Sequence, residues 1–261
     1  GISIAGYLLV SSVPALIFCL LTLQLYQFAR ASRKIHLSQV KRMWRMASPL
    51  LVSSLAGFIS GHIFVYSSAF LLGIAEVGGI AAARNIMGPL TVLMMALENS
   101  MTREAVLLHK TGHEQLMAFV RKTRVKWVLV FVGYAGAVAL LAEKLLVFSY
   151  GAKFGQFYEL VYWMGLAAVP QVLSRIQAVK LRTVGNLRAI QRANIGAMFI
   201  ACAVAPVAIY FFGLSGAGLS IVIVASSITI LQYLGDKTHD MDKGRKLHSV
   251  TVPDRKEKAI K

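Results

Sequence analysis

The sequence predicts an all-α integral membrane protein with seven transmembrane helices. Three observations carry this. The chain is 57% hydrophobic with mean hydropathy +0.64. Its apolar residues fall in runs of about 20 or more, long enough to cross a hydrocarbon layer of ~30 Å at ~1.5 Å per residue. The segments between the runs are short and alternate between strongly basic and nearly uncharged.

The apolar runs are 2–28, 49–73, 77–101, 127–150, 157–181, 190–212 and 214–234. Ser48 before Pro49 reads as an N-cap with proline at the first helical position. Pro89, Pro170 and Pro206 fall inside the third, fifth and sixth runs. Each removes a backbone hydrogen bond and is expected to kink its helix. Segments 29–46 and 106–126 are basic and amphipathic. In the second, Leu116, Phe119, Val120 and Thr123 share one face, so both are expected to lie along the membrane interface. Residues 235–261 mix basic and acidic groups with few apolar ones, a composition expected to be disordered.

Charge orients the chain. Of the 28 Lys and Arg residues, all but Arg84, Lys144 and Lys153 fall after the first run, between the third and fourth, around the fifth-to-sixth turn, or in the tail. These segments share one side of the membrane. By the positive-inside rule that side is the cytoplasm, with the tail inside. The net charge of +17 is thereby explained by topology and anionic lipid rather than by nucleic acid. Cys19 and Cys202 lie in apolar runs without His or Cys neighbours and read as small packing residues rather than a disulfide or metal ligands. The chain opens on Gly without a signal-peptide pattern, and a preceding N-terminal part is expected.

Ionisable groups at bilayer depth are the functional candidates, because each costs about 3 kcal/mol or more there. Arg84 and Glu98 are fourteen residues apart and lie within about 40° of one helical face. That face reads Arg84, Gly88, Thr91, Met95, Glu98, Thr102. It reads either as the wall of a polar path in which Arg84 attracts an anion, or more plainly as two end groups. In the plainer case Arg84 snorkels outward and Glu98 pairs with a loop base or Arg103. The second run carries Ser53, Ser54, Gly57, Ser60 and Gly61, and Gly57-x-x-x-Gly61 predicts a close helix contact. His62 and Tyr66 lie one turn apart nearby. They are candidates for substrate or proton contact, against the commoner role of a hydrogen-bonded packing histidine.

No hydrolase, metalloprotease, phosphate-loop or paired-cysteine motif occurs, and GLSGAG lacks the strand that a dinucleotide site requires. No outer loop is long enough to house an active site. The outer acids Glu76, Glu143 and Glu159 are scattered. No enzyme, catalytic residue, metal or cofactor is therefore expected.

Several stretches, in order, resemble the C-terminal lobe of polysaccharide-transporter (Wzx-type) flippases of the multidrug/oligosaccharidyl-lipid/polysaccharide superfamily. SPLLVSSLAGFISGHIFVYSSAFLLGIAEVGGIAAARNIMGPL resembles the family's seventh span, tight outer turn and eighth span, with Gly79 to Arg84 at the start of the eighth and Ile80 where an aromatic is frequent. LLVFSYGAKFGQF resembles the end of the ninth span, with Tyr150-Gly151 in place of Phe-Gly. FFGLSGAGLSIVIVASSI resembles the lead-in to the twelfth. The resemblance covers about residues 1–234. It implies one lobe of a two-lobe transporter: 1–28 as the last helix of an N-terminal lobe otherwise missing, 29–46 as a cytoplasmic interlobe linker, 47–234 as a six-helix lobe and 235–261 as a tail. It further implies a bacterial inner-membrane protein of O-antigen, lipopolysaccharide or exopolysaccharide biosynthesis. By alternating access it would move undecaprenyl-diphosphate-linked oligosaccharide among membrane lipids, without bond chemistry. Arg84, Thr91, Glu98, His62 and Tyr66 are then the expected substrate contacts. The alternatives are a drug/cation antiporter of the same superfamily, which would favour a carboxylate in its cavity, and a membrane enzyme of polysaccharide synthesis, which would favour a long outer loop.

Overall fold

In the computed structural model, residues 37–251 are described. They form α1 (Leu37–Leu71), α2 (Ile74–Ile86), α3 (Gly88–Thr111), α4 (His113–Tyr150), a 3-10 turn (Ala152–Phe157), α5 (Tyr158–Thr183) and α6 (Leu187–Thr251). No strand occurs among the described residues. Residues 1–48 and 49–261 are separate compact units; the second holds everything that follows. The expected first span, 2–28, lies outside the described residues, as do 29–36 and 252–261.

Apolar runs become helices as expected, but their boundaries follow packing. Ser48 and Pro49 lie within the helical run of α1, not at its start, so Ser48 is not an N-cap. The face of Leu116 and Val120 is buried against the protein core, not laid on a membrane surface, and His113–Tyr150 is one helix. The segment 106–126 is thus divided between the end of α3 and the first turns of α4. Residues 235–251 continue α6 as helix, where composition predicts disorder. Cys202 is exposed and does not fill a packed position.

The break between α2 and α3 has a local cause. Pro89, in the first turn of α3, has no N–H to donate, so the ladder stops at Met87 and the two helices meet at a 49° bend. In α6 the corresponding interruption is Gly213, at φ 57° and ψ −132°, which L side chains rarely adopt. The two arms of α6 pack antiparallel: Gly216 lies against the Ala208 backbone, Gly196 under Leu231, and Gly235 against Ala189.

Three helical stretches are long and apolar enough to cross a membrane: Leu51–Leu71, Glu114–Tyr150 and Leu187–Lys237. The bent pair α2–α3 makes a fourth if it is one span. Helix α5 coincides with the expected fifth span but is the interior helix, with Leu160, Val172, Ile176 and Leu181 fully buried, and it carries Glu159, Arg175, Lys180 and Arg182. Of its polar residues, Gln177 and Lys180 are buried among the neighbouring helices, whereas Glu159, Arg175 and Arg182 are exposed.

The bundle has two chemically distinct ends. At one, Asn85 Nδ2 donates to Tyr150 Oη (3.0 Å), Gly79 lies beneath the Phe157 ring, and Ser215 Oγ donates to Glu159 (3.0 Å). Aromatic side chains stand outward there: Phe70 (89% exposed), Phe148 (92%), Tyr210, Phe211 and Phe212. At the other end, Arg124, Gln177, Lys180 and Asp236 join α4, α5 and α6. Lys180 Nζ and Gln177 Nε2 both donate to Asp236 Oδ2 (2.6 and 2.9 Å). Arg124 Nη2 donates to Gln177 Oε1 (3.4 Å), and its guanidinium lies 5.0 Å from the Tyr233 ring centre.

Candidate functional site: a cationic cavity

A cavity of about 690 Å³ opens among α1, α2, α3, α5 and α6. Four methionines, Met87, Met94, Met95 and Met164, give it an adaptable apolar wall. Its polar lining comprises Ser53, Ser60, Gln171, Ser174, Asn194, Ser220 and Gln232 beside the arginines. Most of the hydroxyls are turned back on their own helices: Ser60 Oγ donates to Gly57 O, Ser174 to Gln171 O and Ser220 to Ala217 O. Asn194 Nδ2 crosses from α6 to α1 and donates to Ser53 Oγ (2.8 Å). Gln232 is buried with its Oε1 unpartnered.

The charged lining residues are Arg84, Arg175 and Arg182; among the described residues no Asp, Glu, His or Lys lines the cavity. Arg84 stands near the end of α2, just before the 49° bend. Arg175 and Arg182 lie two turns apart on α5, and both reach the carboxylate of Glu98 on α3. Arg175 Nη1 donates to Oε2 (3.1 Å) and Arg182 Nη1 to Oε1. The guanidinium side chains are about half exposed, while the carboxylate they share is 16% exposed. Three cations set against one carboxylate leave the site a net positive charge, with guanidinium and amide N–H donors in its lining. Among the described residues, no group of three or more His, Cys, Asp or Glu could hold a metal ion.

Of the sequence candidates, Arg84 and Thr91 line this cavity. Glu98 stands beside it, neutralising α5 arginines rather than Arg103. Arg84 and Glu98 do not share a straight face, because the bend separates them. His62 and Tyr66 are not lining residues: the His62 ring stacks on Phe58 and its Nδ1 contacts Phe58 O (3.0 Å), while Tyr66 is 60% exposed. Gly57 and Gly61 face the cavity with open space beside them, and the expected close helix contact is not made by the described residues.

Arg175 and Arg182 escape a sequence reading because charge counting groups them with the turn between the fifth and sixth runs. A signal is nevertheless present. Gln171, Ser174, Arg175, Ala178 and Arg182 recur at helical spacing and form one polar stripe.

No family model, curated protein or solved structure matches this chain. The functional reading therefore rests on the cavity and on the membrane character of the helices around it.

Proposed function

We propose that the chain is one lobe of a two-lobe flippase for lipid-linked oligosaccharide. In this reading seven spans place the basic segments and the tail in the cytoplasm of a bacterium, and the lobe works by alternating access in the inner membrane. The cargo is an oligosaccharide on an isoprenoid diphosphate, and no bond is made or broken. The observation that carries the reading is the cavity: among the described residues, three guanidiniums line it and no carboxylate does. Such a path favours an anionic cargo over a cationic drug. Its methionine wall suits an apolar chain of no fixed shape, and its Ser, Asn and Gln residues suit sugar hydroxyls.

Arg84 tests the reading. A guanidinium gives a phosphate two parallel hydrogen bonds, which an ammonium cannot reproduce. In a flippase-deleted strain complemented with the full-length gene, Arg84→Lys is expected to reduce surface polysaccharide partly and Arg84→Ala severely, at unchanged protein level. Normal export by Arg84→Ala would overturn the role of this residue.

A further inference from the structure

The Glu98–Arg175–Arg182 cluster is more than a helix tie. A carboxylate is the smallest protein mimic of a phosphate face: planar, anionic, and a two-oxygen acceptor for guanidinium forks. Two arginines seven residues apart on one helix converge on it, each through a single nitrogen, and both also line the cavity. Each guanidinium has five N–H donors, so donors remain beyond those that meet Glu98. The pair keeps one net positive charge, which faces a space that no acid lines among the described residues.

We propose that Arg175 and Arg182 are a phosphate clamp at the basic end of the cavity, and that Glu98 is its resident competitor. Glu98 holds the two guanidiniums together when the cavity is empty. A diphosphate head, carrying more charge and more acceptor oxygens than one carboxylate, takes the donors over. On departure the carboxylate recaptures them, which keeps the clamp from retaining its ligand. The ligand class, an isoprenoid diphosphate, rests on the flippase reading; the clamp itself needs only a phosphate-bearing anion.

The test is equilibrium binding of radiolabelled farnesyl diphosphate to the full-length protein in neutral-lipid nanodiscs. Arg175→Gln with Arg182→Gln is expected to weaken binding by about tenfold or more. Glu98→Gln removes the competing charge but keeps an acceptor of the same shape, and is expected to tighten binding by about threefold or more. That gain should vanish when Glu98→Gln is placed in the double-arginine background. Unchanged or weaker binding by a folded Glu98→Gln protein, or a gain that survives without the arginines, overturns the clamp. If Glu98→Gln does not fold, Arg182→Lys serves. It keeps the ion pair but loses the fork, so unchanged affinity there also overturns the proposal.

Inorganic pyrophosphate is the second probe. Displacement at equal affinity and with the same variant pattern supports the clamp but overturns a lipid headgroup as its ligand. Weak displacement supports the lipid source. The two proposals fail separately. Export that depends on Arg84 with no response of binding to Glu98→Gln removes only the clamp. A clamp that binds, with export indifferent to Arg84→Ala and to both arginine changes, removes only the flippase.

Discussion

A side chain added at Gly218 would collide with the Trp163 ring system, and one added at Gly79 would come within 2.5 Å of the Phe157 ring. Gly57 and Gly61, by contrast, have nothing within 4 Å of such an atom. Gly218→Ala should therefore lower stability by about 1–3 kcal/mol, as overpacking does, whereas Gly61→Ala should cost little beyond its backbone preference. Thermal melts in detergent check this, and equal shifts for the two would contradict the packing described. Buried charge gives a second expectation. Lys180 and Asp236 form an ion pair with side chains only 5% and 14% exposed. Lys180→Met leaves the carboxylate without its counter-charge, with only the Gln177 amide donating to it, and should cost about 3 kcal/mol, while the double change Lys180→Met with Asp236→Asn should recover part of that loss. The same melts read this cycle, and a double variant no more stable than the single one would show that the pair is not coupled. These contrasts are only half legible in the sequence. Small residues in a helical run mark a place where something approaches closely, or where space is left open, and the sequence alone does not tell which. Only the fold assigns Gly57 and Gly61 to a cavity wall and Gly216 and Gly218 to helix contacts.

Among the elements, α6 is the most dependent on one backbone geometry. Its arms pack antiparallel because Gly213 takes φ 57° and ψ −132°. Gly213→Val places a β-branched residue in that conformation and should destabilise the hairpin by about 1–3 kcal/mol or shift the break along the chain. Cysteine pairs placed at Ala189 and Gly235 would report on it. Oxidative cross-linking should be efficient while Gly213 is kept, and poor in the Gly213→Val background if the arms separate. The sequence shows this break as a boundary between two apolar runs, and shows Pro89 as a kink, because both are local backbone effects. It places α5 within a residue or two at each end. It misjudges the content of that helix because charge counting assigns an arginine near the end of an apolar run to the loop. The α5 arginines instead reach Glu98 on α3 and line the cavity, a tertiary circumstance that no single run records.

For the molecule as a whole, the asymmetry of basic residues predicts that Lys153 and Lys243 lie on opposite sides of the membrane. Reporter fusions at the two positions should give opposite signals, and matching signals would remove the proposed orientation. The same polarity separates two modes of anchoring. Outward-standing Phe70, Phe148, Tyr210, Phe211 and Phe212 gather at one end, while Arg and Lys residues crowd the other. Rigid rings hold a fixed depth in the headgroup layer, whereas long cationic side chains can reach several ångströms up or down while their charge stays wet. A bilayer of changing thickness therefore meets a chain pinned on one face and sprung on the other. Thinning it should leave a probe beside Phe148 at constant depth and move one beside Arg121 toward water. The cavity's basic end would then ride with local membrane thickness, making acyl-chain length a tuning variable for the proposed phosphate clamp.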